Sequence, residues 1–403
     1  MSDYLRGEIA HKYNADYYSS RWPNCTRAIH SVIERDGIHI SGLEKTLGLM
    51  DNPDDNLTVI YAADHKSELD YFLLARMFHD EPVRIPRILG GNNLLIPGIS
   101  KDLLPFVNSS LIDFRRSGMI SIDRKAYKHA AYKQAFDNYM YDFFENECAD
   151  LLFFPGGGRS YDGRLKRLKE GIIRMIFNSQ ERFDQNYVIV PISLSYDRVA
   201  EDWSFPDQKK IKKRKNIIYH KIAFVADIIT GIKHWWNEPK GHVHVDFGDP
   251  IFVGQPGMKV DDLVGETYNQ LANMTRVTPT ALVASCFRNG GSVAAAMSFS
   301  QLLEEMEKKL DALPDSVPIS EFIANRSMKE IAERGIMFLT KGRNHPGLMG
   351  SKFFYKTDNM TLINYYANNI IHHLAPEEQA KIIESKEKEL RDSGKTTAHR
   401  IQI

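Results

Sequence analysis

Four short apolar-rich runs, at Leu57–Ala63, Leu151–Phe154, Tyr187–Leu194 and Val243–Phe247, interrupt a chain that otherwise reads in helical lengths. Runs of this length suit strands, and those without polar alternation suit strands covered on both faces. Between them lie Tyr71–Phe78, Tyr127–Phe144 and Leu165–Phe177, long enough for helices that would cover such a sheet. The alternation predicts an α/β fold, with a mixed or mostly parallel central sheet flanked by helices.

Turn-forming residues at Asp51–Asn56 mark a boundary, and the residues before it read as helix and turn. After the Gly248–Pro250 turn, strand signals fade and amphipathic helical text takes over, as at Ser300–Leu313 and Pro376–Arg391. The expected division is a helical N-terminal segment at 1–56, an α/β domain at 57–253 and a helical C-terminal region at 254–403. Lys plus Arg and Asp plus Glu both total 52, so no global charge argues for a nucleic-acid partner. The three cysteines, Cys25, Cys148 and Cys286, stand far apart and form no C-x-x-C pair, which fits a reducing compartment. Met1–Tyr18 has no apolar secretory core, and no stretch reaches the ~20 apolar residues of a membrane span. The expectation is a cytoplasmic protein that meets a membrane, if at all, at its surface.

Two segments carry chemistry. Ala63-Asp64-His65-Lys66-Ser67-Glu68-Leu69-Asp70-Tyr71 sits where a predicted strand gives way to a helix, the usual place for ligands in α/β proteins. Residues five apart on a helix point about 140° apart, so His65 and Asp70 meet only if the histidine lies in the loop and folds back over the first turn. A carboxylate there would fix the imidazole tautomer and leave the other nitrogen as a base for a substrate hydroxyl. Read without chemistry, Ser67 and Asp70 fit a helix capping box with His65 idle. The second segment, Leu151-Leu152-Phe153-Phe154-Pro155-Gly156-Gly157-Gly158-Arg159-Ser160-Tyr161-Asp162-Gly163-Arg164, runs from a buried strand into glycines and arginines. Glycines let backbone amides converge on an anion, and arginine adds charge-assisted bonds to phosphate. No Lys-Ser or Lys-Thr follows the glycines and the third glycine is misplaced for a dinucleotide fingerprint, so nucleotide hydrolysis is disfavoured. The plain alternative is a tight strand-to-helix turn with a solvated arginine.

Arg115 and Arg116 near a strand end, and Pro191 within Val190–Tyr196, say little alone. His242 and His244 share a strand face but lack a third ligand for zinc, and the chain holds no GxSxG elbow for a serine triad. Neither a metal nor another cofactor is expected.

In order, these blocks resemble the glycerolipid acyltransferases, and more closely the glycerol-3-phosphate acyltransferase branch of bacterial and mitochondrial type. His65 and Asp70 match the HxxxxD motif; Gly90–Leu94 with Phe114–Ser117 are similar to the second block, Gly157–Ser160 to the third and Pro191 to the fourth. Asp246–Ile251, Val277–Ala284 and Tyr365–Asn369 are similar to further recurring stretches, so the likeness spans roughly Leu57 to Leu374. Two positions depart: Gly156 stands where many members carry glutamate, and Tyr161 where a second arginine often follows the serine.

The resemblance implies that His65, oriented by Asp70, takes the proton of the glycerol 3-phosphate 1-hydroxyl as it attacks an acyl thioester, from acyl-CoA or acyl-carrier protein. It implies that Arg159, Arg115 or Arg116, Ser160 and the amides around Gly157 and Gly158 hold the phosphate, with Lys66, Arg164 and Pro191 as auxiliary residues. Six basic residues within Lys209–Lys215, beside apolar-aromatic Ile217–Trp236, suit a peripheral contact with an anionic membrane surface, a patch for an acidic carrier protein or a solvated loop. Dihydroxyacetone phosphate or lysophosphatidate as acceptor, and a non-catalytic lipid or carrier-binding module, remain open as alternatives.

Overall fold

The computed structural model describes residues 32–50, 56–92 except 68, 116–147, 149–200, 239–289, 292–293, 296–340, 346–350, 354–357 and 359–374, with isolated residues between 9 and 30 and at 202 and 379. The elements that build the sheet are β1 (Ile33–Ser41), α1 (Leu43–Met50), β2 (Leu57–Ala63), α2 (Asp70–Asp80), β3 (Arg87–Gly91), β4 (Ile120–Ile122), α3 (Ala130–Asp142), β5 (Leu151–Phe153), α4 (Glu170–Arg182), β6 (Asn186–Tyr196), β7 (Gly241–Phe247) and β8 (Ile251–Phe252). Downstream come α5 (Val260–Met274), α6 (Pro279–Cys286), β9 (Arg288–Asn289), β10 (Ser292–Val293), β11 (Met297–Ser298), α7 (Phe299–Asp311), α8 (Glu321–Ala324), α9 (Met328–Thr340), β12 (Leu348–Gly350), β13 (Phe354–Thr357) and α10 (Met360–Asn369).

The central sheet has eight strands in the order β1-β7-β6-β2-β5-β3-β4, with β8 also paired to β6. Only β7 and β8 run antiparallel to their neighbour β6; the remaining pairs are parallel. The fold is the expected mixed, mostly parallel sheet between helices. Strand β2 is buried along its whole length and splits its side chains between two cores. Val59 and Tyr61 join a core with α2, α6, α9 and α10, while Ile60 and Ala62 join another with α3 and α4. The period-2 geometry of a strand requires this split when both faces are covered.

The helical reading of the first fifty residues is corrected at Ile33–Ser41, which forms edge strand β1 parallel to β7. Its side chains are mostly half-buried or exposed, as on a sheet edge, so no apolar run betrays it. Beyond Val253 the expected helices form, but the stretch also carries the short strands β9 to β13. These downstream elements are bolted to the sheet. Arg276 grips Asp246 of β7 with Nε and Nη2 at 2.9 and 2.6 Å, and donates to Ser41 Oγ at 3.0 Å and the Ile319 carbonyl at 3.1 Å. Helix α6 starts at Pro279, after Thr278 accepts from the Ala281 amide, and is buried at all eight positions. Predicted helix Pro376–Arg391 lies almost wholly outside the described residues, as do Cys25 and Cys148.

Candidate active site

Because β2, β5, β3 and β4 are parallel neighbours, the loops that follow them leave from one edge of the sheet, where ligands of open α/β sheets bind. The loop after β2 holds His65, and the loop after β5 is the glycine-rich turn. The two touch directly: the Ser160 amide donates to the His65 carbonyl at 2.8 Å.

His65 lies in the loop and Asp70 is the first residue of α2, the loop-to-helix arrangement that the spacing requires. Nδ1 of His65 is 2.7 Å from Oδ2 of Asp70. That oxygen also accepts from the amides of Lys66 at 2.7 Å and Ser67 at 2.9 Å, while Oδ1 accepts from the Tyr196 hydroxyl at 2.6 Å. The same carboxylate therefore ties the loop amides ahead of α2 and orients the imidazole. Asp70 is fully buried, and four donors offset the cost of a buried charge. As an acceptor it selects the tautomer with hydrogen on Nδ1, leaving Nε2 basic. Phe154 and Tyr71 pack on the ring at centroid distances of 4.5 and 5.0 Å, fixing its plane.

Below this dyad lies a second buried pair. Lys66 Nζ is 3.1 Å from Asp64 Oδ2 and donates to the Leu194 carbonyl at 2.5 Å, and the Leu194 amide donates to Asp64 Oδ1 at 2.9 Å. Burial pushes the Asp64 carboxyl up, and the Lys66 charge opposes that shift. Lys66 thus braces the loop from beneath.

A pocket of about 20 Å³ opens between the two loops, lined among others by His65, Gly156, Gly158, Ser160, Arg164 and Lys166. Gly157 and Gly158 have φ of +69° and +149°, in the range where a side chain is strained. A Cβ on Gly157 would fall 2.6 Å from Lys169 Nζ; one on Gly158 would lie 3.5 Å from an Arg124 nitrogen and 3.7 Å from Lys166 Nζ. Three cationic heads therefore converge on bare backbone. Lys166 Nζ donates to the Gly158 carbonyl at 3.0 Å. Burial, then the Arg124 charge, holds the Lys169 amine below its ordinary value. Arg164 has its Nε buried without a hydrogen-bond partner, and burial lowers its pKa against the pull of Asp162.

The expected residues separate accordingly. His65, Lys66, Gly158, Ser160 and Arg164 line the pocket, and Gly157 shapes its turn. Arg159, expected among the phosphate ligands, is buried with its guanidinium 4.9 Å from the Tyr161 ring centroid and is not a lining residue. The departure at Tyr161 thus supplies a cation–π seat for its neighbour. Arg116 is likewise not a lining residue: it is exposed, with its guanidinium 4.0 Å from the Tyr17 ring centroid. Pro191 sits in mid-β6, accepting from the Gly248 amide at 2.8 Å. Arg115, Asn93, Leu94, Lys209–Lys215 and Ile217–Trp236 lie outside the described residues. Arg124, Lys166 and Lys169 were not singled out from sequence; Arg124 follows β4, and only strand order brings it to the turn. Of the histidines set aside, His39 on β1 bonds His242 at 3.1 Å and stacks on His244. Among the described residues no cluster of three or more His, Cys, Asp or Glu is arranged to hold a metal, and no helix is long and apolar enough to cross a membrane.

Residues 46–195, which contain both loops, match the family model described as Acyltransferase. In this region the chain is similar to the acyltransferases. Residues 225–383 match the model described as Glycerol-3-phosphate acyltransferase C-terminal region. It is similar to the glycerol-3-phosphate acyltransferase of Shewanella frigidimarina, 27% identical over 362 residues covering 84% of this chain and 42% of that protein. The glycerol-3-phosphate acyltransferase of Pseudomonas putida is 25% identical over 368 residues, with 84% and 41% covered. The chain therefore spans about two fifths of the length of these curated relatives. Among solved structures, the 1-acyl-sn-glycerophosphate (LPA) acyltransferase of Thermotoga maritima is similar over 63% of this chain and 79% of its own, at 15% identity and a TM-score of 0.34.

Proposed function

We propose that the chain is a glycerol-3-phosphate 1-O-acyltransferase that makes lysophosphatidate for phospholipid synthesis. The observation that supports it is the shared pocket: the Asp70-steadied His65 and the cation-ringed glycine turn face the same space. The acceptor phosphate would meet Arg164, Lys166 and the turn backbone, with Arg124 and Lys169 adding charge. A three-carbon alcohol held there by its phosphate would turn its 1-hydroxyl toward His65 Nε2. The imidazole takes the hydroxyl proton as oxygen bonds to the thioester carbonyl carbon; the C–S bond then breaks, and the thiolate recovers the proton from His65. Fixing the acceptor by its phosphate removes much of the entropic barrier to this bimolecular step. As it stands the pocket has room for about one water molecule. The long side chains of Arg164 and Lys166 are the walls that a phosphate would draw aside. Acyl-CoA or acyl-carrier protein is the donor, and the basic run Lys209–Lys215 suits contact with the anionic cytoplasmic face of a membrane.

The test gives purified protein labelled glycerol 3-phosphate with palmitoyl-CoA or palmitoyl-carrier protein and follows lysophosphatidate. The wild type is expected to form it, and His65→Ala to lose about 10²–10⁴ in kcat, the usual contribution of a general base. Equal product from both proteins would refute the role of His65; no product from wild type with either donor would refute the activity.

A further inference from the structure

Helix α10 ends against both loops of the pocket. Tyr365 donates its hydroxyl to the Lys66 carbonyl at 3.3 Å. The Tyr365 carbonyl lies against Gly163, whose φ is +82° and whose position would not hold a Cβ without collision. Asn368, 3% exposed, donates Nδ2 to the Asp162 carbonyl at 2.6 Å, while its Oδ1 accepts from Arg288. The orientation of this amide is dictated from both sides. An arginine only donates and so faces the amide oxygen; a carbonyl only accepts and so faces the nitrogen. Asp162 then passes the constraint on, since its Oδ1 accepts from Ser160 Oγ at 3.4 Å and from the Arg164 amide at 3.3 Å.

We infer that Asn368 is a positioning residue for the acceptor. Locked by Arg288, it holds the Asp162–Gly163 corner, and through that corner it sets Ser160 and Arg164 against the space that receives a phosphate. The downstream helices, which hold none of the pocket's lining residues, thereby control how well the acceptor is held. The hydrogen bonds within the dyad lie outside this linkage, which meets His65 only at its carbonyl through the Ser160 amide, because Asp70 takes its donors from the loop itself and from β6. The inference rests on the phosphate reading of the Gly157–Ser160 turn, and its test separates the two.

Asn368→Asp keeps an acceptor for Arg288 and removes the donor to Asp162; Asn368→Ala removes both. If Asn368 served only to hold the helix, Asn368→Asp would retain wild-type substrate parameters. Positioning predicts for both variants an acceptor KM raised about tenfold, the effect of one lost buried hydrogen bond, with the donor KM within about twofold of wild type. The pH profile of kcat stays in place, since His65 keeps its partner. Titration calorimetry with inorganic phosphate provides a readout independent of turnover, and the Kd is expected to rise about tenfold in Asn368→Asp. Should Asn368→Ala fail to fold, Asn368→Asp alone carries the test. A wild-type acceptor KM and phosphate Kd in Asn368→Asp would overturn the inference while leaving the proposed activity standing. A wild type that binds phosphate without acylating glycerol 3-phosphate, paired with weakened phosphate binding in Asn368→Asp, would sink the acceptor assignment and support the positioning role.

Discussion

His244 provides a quantitative test of the packing between β1 and β7. Its ring stacks on His39 at 4.8 Å with an interplanar angle of 18°, and neither of its nitrogens has a hydrogen-bond partner. Burial, followed by the charges of His39, Arg276 and His242, pulls its pKa down to about 3. In the unfolded chain the same ring titrates near 6.5. As the pH falls below about 6.5 the unfolded state binds a proton that the folded state refuses, so stability present at neutral pH drains away toward about pH 3. At pH 5 the gap is about 1.5 units, and at about 1.36 kcal/mol per unit the loss is about 2 kcal/mol. The buried carboxyls of Asp64, Asp150 and Asp246, pushed up by desolvation, act with the opposite sign because the folded state protonates first. Comparing wild type with His244→Phe cancels contributions common to both proteins. Phenylalanine keeps the stacked ring and replaces two unpaired nitrogens with carbon, so the variant should be at least as stable as wild type at neutral pH. Urea unfolding followed by tryptophan fluorescence at pH 7.5 and 5.0 is the assay. Wild type should lose about 2 kcal/mol more than the variant over that interval. Parallel pH dependences for the two proteins would refute the assignment of a buried neutral imidazole.

His372, also lowered to about 3 by burial and by the His373 and Lys66 charges, predicts a similar acid-dependent loss, which His372→Phe should relieve by about 2 kcal/mol at pH 5 in the same urea assay. Tyr196→Phe removes the hydroxyl that donates to Asp70 Oδ1, and urea denaturation should show a loss of about 1.5–3 kcal/mol, the worth of a hydrogen bond to a buried charge; no measurable loss would mean that His65 and the two backbone amides hold the carboxylate without it. Gly163→Ala combines left-handed strain with a collision against the Tyr365 carbonyl and should cost more than about 4 kcal/mol, so a variant melting like wild type would contradict the close approach of α10. In calorimetry with inorganic phosphate, Arg164→Ala should weaken binding about tenfold and Arg116→Ala leave it unchanged, an order whose reversal would move the anion site away from the pocket.

What could be read in one dimension was whatever local chemistry dictates. Strands β2, β5, β6 and β7 announce themselves because burial on both faces leaves little room for polar letters, and helix α2 because its apolar positions recur on one face. The meeting of His65 with Asp70 was also local, since a five-residue separation across a helix start leaves few geometries. Strand β1 escaped because Glu34, Arg35 and Asp36 interrupt it on the exposed edge, and β3 and β4 because Arg87, the paired glycines and Ser121 leave no continuous apolar run such as that of β5.

The anion cradle was only half visible. Glycines followed by arginine suggested a phosphate turn, but which cations attend it depends on strand order, a property of the whole sheet. Placing β4 beside β3, and β3 beside β5, carries Arg124 to Gly158 from over thirty residues away. Tyr161, by stacking on Arg159, leaves Arg164 as the arginine that faces the space. Likewise Asn368 reaches Asp162 only because α10, packed on α6, lies against the loops that follow β2 and β5. Short-range pattern thus determined the buried inner strands, the fold class and the dyad. Long-range packing decided which distant charges and amides attend it, because parallel strands bring together loops that the chain keeps far apart.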